Sequence, residues 1–253
     1  MLSVVKLGGG TTVDAASLAE TARKVAALPG WTAVVHGGGA EITALHERLQ
    51  IPVKWHEGLR VTSPEGLKVT AMVLSGWVNK RIVQAFADAG VGAVGLSGED
   101  GGLLQAAYAR GGALGEVGEI VGVQPDVVYA LLTAGYLPVI SPVSRGPDGP
   151  PLNVNADEAA LHLAAGLGAT RIYLISDVPG VLVDGSVAET LTPAEARRLL
   201  ERGVAEGGMA VKLRQALVAA DVGVEVAIGG PALLDDFSSG TRILGAHMAA
   251  EVA

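Results

Sequence analysis

Two lysines and two glycine-rich turns carry the strongest chemical signal in the chain. Lys6 stands in an otherwise apolar run, just ahead of Gly8-Gly9-Gly10, and His36-Gly37-Gly38-Gly39 closes a second apolar run. Consecutive glycines after a strand let the backbone approach a ligand and aim several N–H groups at one place. A following helix adds its positive N-terminal end, which favours anions, phosphate above all. One such turn is as readily a plain tight connection. Two at neighbouring strand ends lie where open sheets bind ligands. Burying Lys6 in an apolar strand is costly unless an anion meets it; the alternative is a side chain that snorkels from the strand end. Lys212, in an Ala/Val/Leu helix just after Gly207-Gly208, poses the same choice between a solvated helix residue and a site cation.

Three more groups could join them. Asn153, Asn155 and Asp157 alternate along Leu152-Asn153-Val154-Asn155-Ala156-Asp157, where a strand meets a helix. Asp157 is either a helix-start carboxylate favoured by the dipole or part of a site. Arg60, between apolar neighbours in Gly58-Leu59-Arg60-Val61-Thr62, suits bidentate capture of a carboxylate or a surface ion pair. Asp177 in Ser176-Asp177-Val178-Pro179-Gly180 holds a nucleotide group or starts a turn. The 5 histidines make no metal pattern, and no Ser/His/Asp order is present. There is no G-x-x-x-x-G-K-[ST]. The G-x-G-x-x-G at Gly90, Gly92 and Gly95 follows a helix and leads into a strand, the reverse of a dinucleotide fingerprint.

The elements that must position these residues alternate. Leu2–Leu7 reads as a buried strand; 15–28 as a helix capped by Asp14; 32–35 as a strand and 40–49 as a helix. A long helix over 64–89 contains Gly76, and 93–96 is a strand. The glycine-rich 103–123 reads as a hairpin, 125–134 as a helix, and 137–143 as a strand. A Pro/Gly-rich loop over 145–151 is the best division between two lobes. Helices at 157–167, 192–202 and 209–220 then alternate with strands at 171–175 and 224–228, and 241–244 reads as an edge strand. This alternation is the mark of βαβ units in a parallel sheet.

Composition agrees. Hydrophobic residues make up 49% but aromatics only 4%, so Ala, Val and Leu must build the core. The net charge of -8 argues against general nucleic-acid binding. The absence of cysteine excludes disulfides and thiolate metal sites. No apolar run reaches membrane-spanning length, and no targeting presequence is recognised, so a cytoplasmic protein is expected.

Taken together, the motifs resemble the amino acid kinase superfamily and, within it, the N-acetylglutamate kinases of arginine biosynthesis. They keep the family's order over essentially the whole chain: K-L-G-G-G from Lys6, H-G-G-G from His36, G-L-R-V-T from Gly58, N-K from Asn79, G-L-S-G-E-D-G from Gly95, N-V-N-A-D from Asn153, S-D-V-P-G from Ser176 and G-G-M-A-V-K from Gly207. The resemblance implies a three-layer αβα sandwich with an open, mainly parallel central sheet. Residues 1–150 would form an N-terminal lobe for the amino-acid substrate and 151–253 a C-terminal lobe for ATP, on one continuous sheet. It implies transfer of the γ-phosphoryl of MgATP to the side-chain carboxylate of N-acetyl-L-glutamate. Lys6, Lys212, Asp157 and Gly9 would be catalytic: the two lysines would neutralise the phosphoryl group in transit, Asp157 would orient both, and Gly9 would supply a backbone N–H. Gly38, Gly39, Arg60, Asn153 and Asn155 would hold the acceptor. Ser176, Asp177, Val178, Pro179, Gly180, Val181, Leu182, Val204, Ala205, Glu206 and Met209 would line the nucleotide pocket. Mg²⁺ would be held by ATP and water, with no dedicated protein ligands. The nearest alternatives are a kinase for an aminoadipate derivative of lysine biosynthesis and a non-catalytic sensor. Because the first strand begins at Leu2, leaving no extra N-terminal helix, a homodimer insensitive to arginine is expected, with neither nucleic acid nor membrane as partner.

Overall fold

A computed structural model describes residues 1–56, 59–205 and 207–245, with the backbone alone at Trp55, His56, Leu59 and Arg60. The apolar run Leu2–Leu7 is strand β1, buried throughout. Helix α1 (Ala15–Ala26) begins at Asp14, whose carboxylate accepts the Ser17 N–H at 2.7 Å. The chain then runs through β2 (Trp31–His36), α2 (Gly39–Arg48), β3 (Lys54–His56), β4 (Leu59–Val61), α3 (Pro64–Ala71), a π-helical stretch (Met72–Val78) and α4 (Asn79–Asp88). Next come β5 (Ala93–Gly98), β6 (Leu104–Tyr108), β7 (Val117–Val123), α5 (Asp126–Thr133), β8 (Leu137–Arg145) and β9 (Pro151–Val154). The last part holds α6 (Ala156–Gly166), β10 (Arg171–Ile175), β11 (Leu182–Val183), β12 (Ser186–Val187), β13 (Thr190–Leu191), α7 (Pro193–Glu201), α8 (Gly207–Asp221), β14 (Glu225–Gly229) and β15 (Thr241–Ile243).

The strands lie in the order β13-β15-β14-β10-β1-β2-β8-β6-β7-β9, with β5 also on β8. Parallel pairing joins β14, β10, β1, β2, β8 and β5, so the expected open, mainly parallel sheet is present. Successive β1 residues serve opposite faces, as the two-residue period of a strand requires. Val4 packs in one apolar layer with α5, α6 and α8, and Val5 in the other with α1, α3 and α4. The helices thus cover both faces, in the three layers expected.

Three sequence expectations are altered in detail. The helix over 64–89 is continuous but widens into π geometry around Gly76, and there Ser75 Oγ reaches Ser141 Oγ on β8 at 2.7 Å. The loop after Arg145 is the turn of a hairpin: Gly146 N–H donates to Pro150 at 2.8 Å, and β9 runs antiparallel to β8. Strand β15 is not at the edge, because the two-residue β13 pairs along its outer side. Among the described residues no helix is long and apolar enough to cross a membrane.

Gly95 shows why a glycine stands in β5. A Cβ there would lie 1.9 Å from Asn79 Oδ1 and 2.6 Å from Lys80 Nζ. Lys80 can swing away, but Asn79 is fully buried. Gly95→Ala is therefore expected to cost about 2 kcal/mol through overpacking. Gly90→Ala, at φ 79 with open space around it, should cost only about 1 kcal/mol of backbone strain. Urea unfolding of both variants checks the order, and equal losses would contradict it.

Candidate active site

Because β1, β2 and β10 are parallel, their C-terminal ends and the turns that follow meet along one rim of the sheet. Lys6 shares the face of Val4 by strand alternation, so its side chain rises on the side of α6 and α8. It runs over Gly8, where a Cβ would sit 2.2 Å from Lys6 Nζ. Only a glycine leaves that path open.

Asn155 begins α6 as its N-cap, its Oδ1 accepting the N–H groups of Asp157 and Glu158 at 2.8 and 3.3 Å. The capped turn aims Asp157 at both lysines. Lys6 Nζ lies 2.8 Å from Asp157 Oδ1, and Lys212 Nζ on α8 lies 2.5 Å from Oδ2. All three side chains are nearly buried, at 11, 10 and 15% exposure. Oδ1 receives no well-angled hydrogen bond, so Lys6 acts on it as a charge more than as a donor. Burial alone would raise the Asp157 pKa. The two ammonium charges and their hydrogen bonding outweigh that and hold it down at about 2. Burial lowers the pKa of Lys212, with Asp157 opposing the shift and Lys6 adding to it.

One carboxylate between two ammoniums leaves an excess positive charge in a low-dielectric place. That arrangement binds an anion well and is poorly satisfied without one.

The second glycine turn closes on the same region. A Cβ on Gly37 would lie 3.7 Å from that of Ala156 at the start of α6. Gly38 is the N-cap of α2 and has no side chain to cap it, so the first-turn N–H groups have no intrahelical partner. Asp177, two residues past β10, accepts the Gly10 N–H at 3.2 Å and ties the first turn to the S-D-V-P-G segment. A cavity of about 420 Å³ lies between the turns, lined by Gly10, Thr12, Gly38, Gly39, Glu41 and Asp177 among others. A wider groove of about 580 Å³ continues past Ser176, Asp177, Val178 and Pro179.

Asn153 donates from Nδ2 to Thr62 Oγ1 at 3.0 Å, joining β9 to the G-L-R-V-T segment. Arg60 pairs through its backbone with Trp55; its side chain, Gly58 and Glu206 lie outside the described residues. Gly9 opens a single 3-10 turn (Gly9–Thr12) directly behind Lys6. Of the residues expected to line a nucleotide pocket, Val178, Leu182 and Val204 are exposed, and Met209 packs against the core. Val181 and Ala205 turn into the core, so any ligand contact they make is through the backbone.

Four supports were not read from the sequence. Thr241 Oγ1 accepts the Val181 N–H at 2.8 Å and pins the end of the S-D-V-P-G segment to β15. Glu158 takes the Ile120 N–H at 2.7 Å and the Gln215 amide at 3.4 Å, a second tie between α6 and α8. His36 and Asn79 form a buried pair under the second turn, with Nε2 and Nδ2 at 3.1 Å. His36 and Asn79 are visible in the sequence only as the first residues of the H-G-G-G and N-K motifs, without their pairing.

The triad sets a stability expectation with a definite sign. The folded-state pKa of Asp157 lies below the ordinary 3.8, so its stabilisation is present above that value and lost as pH falls through about 2. Replacing Asp157 with Asn leaves two buried ammoniums without a counter-charge and should cost about 3 kcal/mol. Adding Lys212→Met to that variant should restore part of the loss. Urea unfolding at neutral pH tests this, and purely additive losses would refute the coupling.

The family model for the amino acid kinase family matches residues 1–230. An acetylglutamate kinase of Roseiflexus sp. (strain RS-1) is 45% identical over 226 residues, covering 88% of this chain and 86% of that one. An acetylglutamate kinase of Bacillus velezensis is 42% identical over 220 residues, covering 85% of each. Among solved structures, a protein from Streptococcus mutans UA159 aligns with a TM-score of 0.81 at 27% identity, over 96% of this chain and 98% of that one. A carbamate kinase from Giardia aligns over 96% and 98% with a TM-score of 0.76; at 16% identity it speaks for the fold alone. The parallel sheet, the lysine pair on one aspartate and the family match agree: this chain belongs to the amino acid kinase family.

Proposed function

We propose that the chain is an acetylglutamate kinase, transferring the γ-phosphoryl of ATP to the side-chain carboxylate of N-acetyl-L-glutamate in arginine biosynthesis. The observation that carries this reading is Asp157 shared by Lys6 and Lys212 at the rim of the parallel strands. The named relatives supply the acceptor.

In the reaction an oxygen of the acceptor carboxylate forms a bond to the γ-phosphorus. The bond to the β,γ-bridging oxygen breaks, and ADP leaves with that electron pair. The carboxylate is already a nucleophile, so no proton need be removed and no general base is required. Such a transfer depends on in-line positioning and on positive charge around the spreading negative charge. Lys6 and Lys212 provide that charge, and Asp157 fixes where both ammoniums stand. The N–H groups of the glycine turns act as preorganised donors. Residues 1–150 serve the acceptor, with Gly38, Gly39 and Arg60, while 151–253 serve the nucleotide and contribute Asn153 and Asn155 to the acceptor.

Mg²⁺ belongs to this reading as the companion of ATP. Among the described residues no three His, Asp or Glu side chains come together to hold a metal. The ion would be carried mainly by nucleotide oxygens and water and would neutralise charge on the phosphates. The enzyme is proposed to be cytoplasmic and homodimeric. Met72 and Trp77, 58 and 69% exposed on the π-helical stretch, offer the apolar face for a second copy.

An ADP-release assay should show turnover with N-acetylglutamate well above N-acetylaminoadipate or aspartate; no turnover with any of them would sink the reading. In that assay Lys212→Ala should lower kcat by about a hundredfold or more with little change in KM. Arg60→Ala should mainly raise the acetylglutamate KM.

Sedimentation should find a dimer that Trp77→Glu splits into monomers. A monomeric wild-type chain would contradict the assembly.

A further inference from the structure

We propose that His36, paired with Asn79, is a positioning residue that fixes the Gly37–Gly38 peptide so that the Gly38 N–H faces the transfer site. The inference rests on the kinase reading above and assigns a role to a histidine that the reaction does not need as a base.

His36 is the last residue of β2 and is fully buried. Its Nδ1 lies 3.0 Å from the Gly37 carbonyl oxygen, and its Nε2 lies 3.1 Å from Asn79 Nδ2. The Asn79 amide nitrogen also faces the carbonyl oxygens of Val139 at 2.9 Å and Leu96 at 3.3 Å. Surrounded by acceptors, that nitrogen can only donate. Nε2 is therefore the acceptor, and the ring proton sits on Nδ1 and donates to Gly37. The opposite tautomer would set N–H against N–H at Asn79 and lone pair against lone pair at Gly37. Protonation is also opposed: burial, the largest influence, lowers the His36 pKa to about 4.

The consequence lies in the next peptide. The Gly37 carbonyl is drawn inward to His36. In a trans peptide C=O and N–H point in opposite directions, so the Gly38 N–H is turned away from the imidazole, toward the cavity that Gly38 and Gly39 share with Gly10. Leu74 and Val78 press on the other side of Gly38, where a Cβ would meet them at 2.8 and 3.1 Å. Gly95 leaves Asn79 room to hold the ring. A loosely held peptide could flip and present its carbonyl to the anion; His36 prevents this.

Two readouts test the role. Nitrogen-15 spectra of the imidazole should show Nδ1 protonated and Nε2 unprotonated at neutral pH. A proton on Nε2, or titration near 6.5, would overturn the proposal. Kinetics of three variants then separate donor from bulk. Asn places an amide N–H near the Nδ1 position, Gln near Nε2, and Leu offers neither. His36→Asn should keep kcat/KM for N-acetylglutamate within about threefold of wild type. His36→Gln and His36→Leu should lose about tenfold or more, with the ATP KM little changed in all three. Equal losses in the Asn and Gln variants, or losses that follow urea stability, would overturn it. If the wild-type chain turns over no acceptor, the kinase reading fails separately. N-acetylglutamate affinity by calorimetry, falling for Gln but not for Asn, then decides the role of His36.

Discussion

Everything at the rim of this sheet is arranged around one carboxylate that answers to two ammoniums. Asp157 holds Lys6 and Lys212 within 2.8 and 2.5 Å, in surroundings that exclude most water. Two buried cations on one anion is an unfavourable composition for a core, since desolvation is repaid only in part by the pairing. The fold tolerates it because strand β1, helix α6 and helix α8 each enter the site from an independently packed position. Lys6 comes from a strand buried on both faces, Asp157 from a capped helix start, and Lys212 from a helix whose Leu213, Ala216 and Ala220 lie in the core. Stability spent here is returned when an anion arrives.

The second turn obeys the same logic with neutral groups. An N–H can act as a fixed donor only if its peptide cannot rotate. The His36–Asn79 pair, Gly95 beneath it and the π-helical stretch beside it all serve that end. The widened turn lets Leu74 and Val78 press on Gly38 while Ser75 reaches Ser141. A regular helix through Gly76 would rotate these side chains out of register with one another.

What could be read from the sequence divides along the same line. Strands β1 and β10 were legible because short runs of Val, Ile and Leu between turn residues admit few other structures. Asp14 marked a helix start by its own chemistry, and it caps as its type predicts. The two lysines were legible as cations in apolar surroundings. That one aspartate serves both came from the family resemblance alone and not from spacing, because residues 6, 157 and 212 meet only through the order of strands in the sheet. The short strands β11 to β13 were missed for the same reason: two residues carry no period, and pairing alone defines them. His36 was legible only as the first residue of the second glycine turn. Its type invites a search for a base or a metal, whereas burial keeps it neutral and its neighbours make it a strut.

This arrangement also explains how a protein of net charge -8 can attract a polyanion. A negative net charge gives no overall long-range attraction for an anion, so capture must rest on a short-range field. Screening in salt weakens exposed charges beyond about 10 Å but affects buried pairs far less. Lys6 and Lys212 are buried, and the glycine N–H dipoles are fixed at the ends of strands. The attraction is therefore felt chiefly by a group small enough to enter between the turns, such as a phosphoryl oxygen, and only weakly by an extended polyanion outside. Selectivity for a compact anion thus follows from burial and from the acidic remainder of the surface. It needs no excess of basic residues.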